Sequence, residues 1–291
     1  IFCKIKGTSF KFKLNFHGFK LYFNFSQDLI FILMIKAFLF DLDGVFYVDD
    51  NLIPGANDAL QWLQERNIPY RFITNNTTLP RNKLVEKLNK IGMQVNEDDL
   101  ISANYAGVLL LKKLKVNSCK LVLREIAQAD YQSFNTNTSK PEAIVIGDIG
   151  PHWDYKLMNE LMDLILAGAQ LIALHKGRYF QTEKGLAIDS GAFVAGLEHA
   201  TETKALVVGK PQPTFFELAT QVFTCKPTEI SMVGDDLIND ILGGQKMGYP
   251  TFLVKTGKFR ESLYQASDIR PEHLIPSIAT LPNYLSTNNL I

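Results

Sequence analysis

Asp41 and Asp43 stand one residue apart and are followed by Gly44. They come directly after residues 35–40, an almost continuous apolar run of the kind that forms a strand buried on both faces of a parallel sheet. In open α/β sheets ligands bind beyond the carboxyl ends of the strands, so both side chains are predicted to project into that crevice. With a cation beside one of them, the ionised carboxylate could attack phosphorus while the other exchanges protons. A plain turn is the alternative, since Asp-Gly is common in turns.

A second acidic group, Asp235 and Asp236 with Asp240 close behind, follows another apolar run at residues 230–233. Carboxylates clustered at the end of a strand repel each other, and a hard divalent cation with oxygen ligands is the usual reason to tolerate them. Mg²⁺ is the natural candidate. Alternatively, Asp235 or Asp236 caps the following helix by accepting from free backbone N–H groups. That explanation is expected to cover one of the three acids rather than all of them.

Two further polar groups follow other strand-like runs. Lys210 comes after residues 205–208, and Thr74, Asn75 and Asn76 come after residues 70–73. A lysine can neutralise phosphoryl charge, and hydroxyl and amide groups can donate to phosphoryl oxygens. Taken separately, each group also has an ordinary explanation, either a solvated surface lysine or a polar loop without a ligand.

The elements that must position these residues alternate along the chain. Short apolar runs are separated by longer helical patterns, which is typical of βαβ units and a parallel sheet. Residues 34–80 and 204–291 are therefore predicted to form one α/β core, a doubly wound, Rossmann-like parallel sheet. Its predicted strands are residues 35–40, 70–73, 205–208, 230–233 and 251–254, and residues 57–66 are predicted to be a helix.

More chain separates the two halves of this core than a single crossover needs. Residues 81–203 carry their own alternation, which predicts an inserted α/β domain. The polar residues 135–140 are expected to be a surface loop within it. The strand-like runs of the insertion are residues 120–123, 143–146 and 171–174, and the helix-like runs are residues 104–114, 155–167 and 192–200.

The first 33 residues are rich in Phe, Lys and Asn and have neither helical nor strand periodicity. We expect them to be a non-native or disordered extension, with Met34 as the natural start. The apolar run at residues 29–40 is shorter than the ~20 residues that a membrane span needs. No small-residue cleavage site of the kind that signal peptides carry is evident.

Composition favours a folded protein with a small-molecule partner. The chain has 291 residues, of which 46% are hydrophobic and 21% charged, and 30 Lys plus Arg balance 30 Asp plus Glu. Because the positive and negative charges balance, the protein has no net charge that would attract it to nucleic acid or anionic lipid, and neither is expected as a partner. Cys3, Cys119 and Cys225 are too scattered for a zinc or redox motif. Buried free thiols in a reducing cytosol are expected, which favours a cytoplasmic protein.

Four motifs fall at predicted strand ends on one sheet. In chain order they are Asp-x-Asp at 41, Thr at 74, Lys at 210 and Gly-Asp-Asp at 234. The set resembles the haloacid dehalogenase superfamily of phosphohydrolases, and the resemblance covers residues 34 to about 281. The insertion between Thr74 and Lys210 looks like subclass IIA, which carries a large α/β cap at that point. Residues 185–187, 191–193 and the helix at 194–200 are similar to one subgroup of phosphatases in that subclass.

The resemblance implies roles for these residues. Asp41 would be the nucleophile, and Asp43 the general acid and later the general base for water. Mg²⁺ would be bound by the Asp41 carboxylate, the Asp43 main-chain carbonyl and Asp235, with Asp240 orienting a metal-bound water or lying behind the ligands. Many relatives have a residue other than Asp at position 236, which leaves the metal shell open. The residues implied to bind the phosphoryl group are Leu42, Thr74, Asn75, Asn76 and Lys210.

The implied function is a Mg²⁺-dependent phosphatase that hydrolyses small phosphate monoesters through an aspartyl-phosphate on Asp41. A dehalogenase would need neither the cation nor Asp43. A phosphomutase could use the same intermediate, and a non-catalytic phosphoacceptor or binding module could have the same acidic pocket with a lysine. A large cap argues against the binding module, because caps exclude water and select substrates. In the resembling families such caps often pair across a homodimer.

The substrate is expected to be read by side chains of the insertion that face the crevice. A polar, cationic group follows the predicted strand at 171–174, and a solvated loop is its alternative explanation. The candidates are His175, Lys176, Arg178 and Tyr179.

Overall fold

The computed structural model describes residues 12–16, 19–23, 34–182 and 185–291. Within the predicted extension 1–33 it describes two strands that pair antiparallel. The rest of that segment lies outside the described residues, so the extension stays a prediction. The strands, in chain order, are β1 Phe12–Phe16, β2 Phe19–Phe23, β3 Ala37–Asp41, β4 Tyr47–Val48, β5 Asn51–Leu52, β6 Tyr70–Thr74, β7 Leu100–Ser102, β8 Cys119–Val122, β9 Ala143–Ile146, β10 Gln170–Ala173, β11 Tyr179–Thr182, β12 Gly185–Ile188, β13 Leu206–Val207, β14 Ile230–Gly234, β15 Thr251–Val254 and β16 His273–Ile275.

Helices separate most of the parallel strands along the chain. The helices predicted at residues 57–66, 104–114, 155–167 and 192–200 are present, and each begins and ends within two residues of the predicted bounds. No helix in the described parts of the chain is both long and apolar enough to span a bilayer. The α-helices are α1 Ala56–Glu65, α2 Arg81–Lys90, α3 Ala103–Lys113, α4 Tyr155–Leu166, α5 Ser190–Thr201, α6 Pro213–Thr220, α7 Gly243–Lys246, α8 Glu261–Ala266 and α9 Leu281–Thr287.

The core sheet has six parallel strands in the order β16-β15-β14-β3-β6-β7. The first strand of this sheet along the chain is β3, which lies in its middle. Strands β6 and β7 follow on one side of β3, and β14 is added later on the other side. This reversal is the doubly wound pattern, and the crevice at the carboxyl ends of β3 and β14 is the usual ligand site of such sheets. The predicted Rossmann-like class is therefore confirmed.

The central strand β3 is buried on both faces, as its continuous apolar run predicted. Leu39 belongs to one hydrophobic cluster and Phe40 to another on the opposite face, because successive side chains of a strand alternate. The Phe40 ring packs edge-on against Phe46, with ring centroids 5.3 Å apart. Phe46 makes the same kind of contact with Phe72 of β6, also at 5.3 Å. This aromatic packing holds the turn after Asp41 against the sheet.

A second sheet, called here the inserted sheet, has four parallel strands in the order β13-β10-β9-β8. Strands β11 and β12 form an antiparallel hairpin beside it. The predicted inserted strands and helices are all present. Cys119 of β8 is buried and Cys225 partly buried, and both are free thiols.

Two strands lie in a different sheet from the one predicted. The run at 205–208 was assigned to the core, but β13 pairs with β10 in the inserted sheet, and the Gly209 N–H continues this pairing by donating to the Leu174 carbonyl at 2.7 Å. Conversely, β7 lies inside the predicted insertion 81–203 but pairs with β6 in the core sheet. An apolar run shows that a strand forms and not which sheet edge it will join.

Candidate active site

Three carboxylates converge at the carboxyl ends of β3 and β14. Phe40 of β3 pairs with Val233 of β14, so Asp41 and Asp235 emerge from neighbouring strands at nearly the same level. One turn further on, Asp240 joins them. One oxygen of each of the three carboxylates lies within 4.8 Å of the others, and the three residues are 6%, 2% and 0% exposed.

Lys210 completes this group from the end of β13. Its Nζ lies 2.8 Å from Asp41 Oδ1 and 2.8 Å from Asp240 Oδ1. Burial by itself lowers the pKa of Lys210, but the charges of Asp240 and Asp41 outweigh it and raise the pKa above its usual value. The ammonium is therefore held charged between the two carboxylates.

The side chain of Asn75 holds the Lys210 backbone from both sides. Its Oδ1 accepts from the Lys210 N–H at 2.8 Å, and its Nδ2 donates to the Lys210 carbonyl at 2.9 Å. A Cβ at position 209 would lie 2.8 Å from this Oδ1, so Gly209 is needed for the close approach. Asn75, predicted to bind phosphate through its backbone, thus also positions the lysine with its side chain.

The Asp235 carboxylate sits in a cradle made of two glycines with positive φ, Gly44 at +82° and Gly257 at +59°. A Cβ on either would lie about 2 Å from Asp235 Oδ2. That oxygen accepts from the Lys258 N–H at 2.7 Å, whereas Oδ1 is buried and has no hydrogen-bond partner among the described residues. Burial, followed by the negative charge of Asp41, raises the pKa of Asp235 to about 7.

These residues fit a divalent metal ion. An orphaned buried carboxylate oxygen is costly unless something pairs with it, and Asp235 Oδ1 is such an atom beside the Asp41 and Asp240 carboxylates. The donor set is all oxygen, which suits a hard cation such as Mg²⁺ and would not suit a thiol-seeking metal.

The other two acids of the second group have separate positions. Asp236 caps the π-helical turn Leu237–Leu242: its Oδ1 accepts from the N–H groups of Ile238 and Asn239, each at 2.9 Å. Burial acts to raise its pKa, but these hydrogen bonds and the Lys258 charge lower it overall. Asp240 points into the cluster instead, and burial and the Asp41 charge raise its pKa. The helix-cap explanation thus applies to Asp236 alone.

Asp43 lies at the mouth of this cluster. It reaches solvent, and its backbone forms an isolated bridge with Tyr47. The protein atoms around its carboxyl and then the charge of Asp41 raise its pKa. A raised pKa favours the protonated carboxyl, the form that can donate a proton.

The polar residues after β6 follow the strand that neighbours β3. Asp41 pairs with Ile73, so Thr74, the last residue of β6, lies one residue beyond the level of Asp41. The Thr74 hydroxyl accepts from the Asn76 N–H at 3.3 Å, and Asn76 Oδ1 accepts from the N–H of Leu79 at 3.0 Å. The Asn76 side-chain oxygen therefore shapes the loop.

The N–H of Leu42 donates to Asp41 Oδ1 at 2.8 Å. Among the described residues, this N–H is thus occupied by the carboxylate itself. The Leu42 N–H could donate to a phosphoryl oxygen only after releasing the Asp41 carboxylate.

The candidate substrate residues after β10 fall into two pairs. His175 Nε2 lies 3.4 Å from Ser190 Oγ, and Lys176 Nζ pairs with the buried Glu198, so both pack within the insertion. Arg178 and Tyr179 are exposed, with the guanidinium 5.5 Å from the neighbouring ring centroid. The solvated-loop explanation therefore suits Arg178, whereas Tyr179 is the exposed first residue of β11.

The loop after β15 was missed by the sequence reasoning. Thr256 donates to the Gly44 carbonyl, Gly257 packs against Asp235, and the Lys258 N–H donates to that carboxylate. The signal was available, because this polar segment follows the predicted strand at 251–254 and the strand-end rule applies there too.

Comparison with known proteins agrees with this geometry. The family model described as haloacid dehalogenase-like hydrolase matches residues 38–133, and a model of HAD-hydrolase-like proteins matches residues 207–281. The chain is 41% identical over 228 residues to human haloacid dehalogenase-like hydrolase domain-containing protein 2, covering 78% of this chain and 87% of that protein. It is 31% identical over 252 residues to the Xenopus laevis phospholysine phosphohistidine inorganic pyrophosphate phosphatase, covering 84% and 92%.

Solved structures share the fold over most of the chain. The p-nitrophenyl phosphatase from Archaeoglobus fulgidus superposes with a TM-score of 0.80 at 25% identity, covering 87% of this chain and 100% of that one. The 4-nitrophenylphosphatase from Thermotoga maritima gives a TM-score of 0.78 at 25% identity, covering 87% and 98%. Taken with the strand-end cluster and the inserted sheet, these similarities show that the chain is a phosphohydrolase that belongs to the haloacid dehalogenase-like hydrolases, in the subclass with a large α/β cap.

Proposed function

We propose that the protein is a Mg²⁺-dependent phosphatase that hydrolyses small phosphate monoesters through an aspartyl-phosphate on Asp41. The observation that carries this is the placement of Lys210, whose buried ammonium lies 2.8 Å from the Asp41 carboxylate, next to an Asp235 oxygen that has no hydrogen-bond partner in the described part of the chain. Phosphoryl transfer depends mostly on positioning and charge neutralisation, and this site supplies both.

In this mechanism Asp41 attacks phosphorus and displaces the alcohol. Lys210 neutralises charge on the phosphoryl oxygens, and Thr74 and the Asn75 backbone donate to them. Asp43 gives its proton to the leaving oxygen and then takes one from the water that hydrolyses the aspartyl-phosphate. Asp41, Asp235 and the Asp43 main-chain carbonyl would hold Mg²⁺, which supplies further positive charge beside the phosphoryl group.

A small phosphorylated metabolite is proposed as the substrate, in a cytoplasmic protein without nucleic-acid or membrane partners that can pair through its cap. The names of the relatives suggest which phosphoryl bonds to compare: phosphate esters, phosphoramidates on lysine or histidine, and pyrophosphate. A panel that offers all three with Mg²⁺ would rank them by kcat/KM.

Replacing Asp41 by Asn tests the nucleophile, since the amide keeps the shape and removes the attacking oxygen. Hydrolysis of 4-nitrophenyl phosphate is expected to fall at least about a thousandfold. Asp50→Asn, which changes an exposed carboxylate paired with Lys87, is the control and should keep full activity. In a single turnover quenched with acid, peptide mass spectrometry should find one phosphoryl group on Asp41. Undiminished turnover in Asp41→Asn would refute the proposal.

A further inference from the structure

A cavity of about 620 Å³ opens in the insertion, and none of the three clustered carboxylates lines it. One wall is the end of β8 and the segment after it, residues 122–125. The opposite wall is residues 149–152, which follow β9, together with Leu157 of α4. The cavity therefore lies at the carboxyl ends of two neighbouring parallel strands.

The chain leaves these two strands toward opposite faces of the inserted sheet. After β8 it enters the 3₁₀ helix Glu125–Tyr131, where Tyr131 packs in the same cluster as Val145 of β9. After β9 it enters α4, where Leu161 packs in the same cluster as Ile146, on the other face. Diverging connections open a crevice between the strand ends, and ligands of open α/β sheets bind in crevices of this kind.

The walls of the cavity combine Arg124, whose donors are only partly used, with the polar side chains of Glu125, Gln128 and His152 and with apolar surface. The Arg124 side chain is 49% exposed, and its Nη2 donates to Asp148 Oδ2 at 2.5 Å. A guanidinium has five N–H donors, and the remaining ones have no partner within the described ranges. Lys120 also lines the cavity but is paired with Glu160 at 2.6 Å, while Ile149 and Leu157 supply apolar contact.

We propose that this cavity binds a small organic anion, with its carboxylate or phosphate at Arg124 and its apolar part against Ile149 and Leu157. Arginine suits such a ligand because its fork of N–H groups can hold a planar or tetrahedral anion with two hydrogen bonds. A ligand that was only anionic would remain in water, and one that was only apolar would leave the guanidinium donors unused.

The same loop connects the cavity with the catalytic crevice. The Asp148 N–H donates to the hydroxyl of Thr77 at 3.3 Å, and Thr77 lies three residues after Thr74 in the loop that follows β6. The anion can therefore be either the part of the substrate beyond the phosphoryl group or a separate effector. Both have the same chemistry at Arg124, and kinetics can tell them apart.

The probes are 2-naphthoate and its neutral isostere 2-naphthamide, and binding to the full chain is measured by calorimetry or ligand-detected NMR. The carboxylate is expected to bind at least about tenfold more tightly than the amide, which is typical of a hydrogen bond to a charged group. Arg124→Gln should remove that preference, and Leu157→Trp, which fills the cavity, should abolish binding of both probes. Arg66→Gln, an arginine of similar exposure just after α1, should bind like the wild type.

Equal binding of the two probes, absence of naphthoate binding, or unchanged binding in both cavity variants would each overturn the proposal. Circular dichroism and a thermal midpoint near that of the wild type show that each variant is folded. Competitive inhibition of 4-nitrophenyl phosphate hydrolysis by naphthoate would assign the cavity to the leaving group, and any other pattern to an effector. Since binding is measured without turnover, it can also be measured in Asp41→Asn, and its failure is distinguishable from failure of the phosphatase proposal.

Discussion

At the scale of single residues, the buried Lys210 has two partners that depend on it. Without its ammonium, the buried carboxylates of Asp41 and Asp240 would both lose the cation that lies 2.8 Å from each of them. Removing one member of a buried charge group usually costs more than the group contributes, because the remaining charges are left uncompensated.

Lys210→Met is therefore expected to reduce kcat at least about a hundredfold and to destabilise the fold by about 3 kcal/mol. Activity on 4-nitrophenyl phosphate and unfolding in urea measure the two effects. Lys246→Met, at an exposed position, is the control for the loss of a lysine as such. A variant with nearly full kcat would show that the ammonium has no part in the reaction.

Lys258 is exposed whereas Lys210 is buried, so replacing Lys258 is expected to affect KM rather than kcat. Its backbone is fixed to Asp235, but its side chain is 60% exposed and its Nζ lies 3.5 Å from Asp236 Oδ2. An exposed cation at the mouth of an acidic site attracts an anionic substrate, and salt screens that attraction.

Lys258→Ala is expected to raise KM for 4-nitrophenyl phosphate about two- to fivefold at low salt, with kcat nearly unchanged. The difference should shrink as the ionic strength rises. Lys255→Ala, in the same loop and paired with Glu261, is the matched control. A KM effect of equal size in both variants, or one that salt does not change, would argue against a specific role of Lys258.

At the scale of elements, the turn after β3 and the loop after β15 meet across the Asp235 carboxylate. Gly44 and Gly257 come so close that a Cβ on Gly44 would lie 3.0 Å from the Gly257 Cα and 2.0 Å from Asp235 Oδ2. Glycine is required here by space as well as by its positive φ. The two requirements can be separated, because Gly248 has nearly the same φ, +77°, and a Cβ added there would have nothing within 4 Å.

Gly44→Ala and Gly248→Ala should each lose about 1–2 kcal/mol of stability from the left-handed backbone. Only Gly44→Ala should also displace Asp235, and its activity should fall at least about tenfold with a raised requirement for Mg²⁺. Urea unfolding and Mg²⁺ titration of activity measure the two consequences. Similar activity losses in both variants would mean that backbone strain, and not the contact with Asp235, is responsible.

At the scale of the whole molecule, the two parallel sheets meet at their carboxyl edges. The Asn75 side chain, just after β6 of the core sheet, bonds the Lys210 backbone, which follows β13, and the Asp148 N–H, which follows β9, donates to the Thr77 hydroxyl. The insertion is thus joined to the site at the points where its strands end. Both sheets thereby direct their loops at one crevice.

The far edge of the core sheet contributes to stability in a pH-dependent way. His273 of β16 is buried, its ring centroid lies 4.3 Å from that of Phe252, and its Nδ1 lies 3.1 Å from the Tyr284 hydroxyl on α9. Burial lowers the pKa of His273 to about 4. The unfolded chain takes up this proton near pH 6.5, so the stability contribution is complete above that pH and is lost as the pH falls toward 4.

Between pH 8 and pH 5 this one group is expected to cost about 2 kcal/mol of unfolding free energy. His273→Phe keeps an aromatic ring but cannot titrate. Between pH 8 and pH 5, the free energy of unfolding of this variant should therefore fall by about 2 kcal/mol less than that of the wild type. Urea unfolding of both proteins at each pH gives the double difference. The same pH dependence in both proteins would show that other groups account for it.

The sequence by itself determined the class of fold and predicted most of the residues that lie together at the strand ends. Asp41, Thr74 and Asp235 lie at the carboxyl ends of strands in the core sheet, which meet at one edge, so a local pattern was enough to predict their convergence. Lys210 follows a strand of the inserted sheet, and its contact with Asp41 depends on how the two sheets pack. The periodic helices and buried strands could also be predicted, because burial imposes its period directly on the sequence.

The tertiary structure alone decided which sheet an edge strand joins and which way a side chain points. Strands β7 and β13 have only three and two residues, and their partners lie far away in the chain, where no local pattern reaches. Likewise Asp236 and Asp240 have the same side chain, but hydrogen bonds turn one toward its own helix and leave the other buried on Lys210. The roles of these two acids depend on distances across the fold, and a linear sequence does not contain those distances.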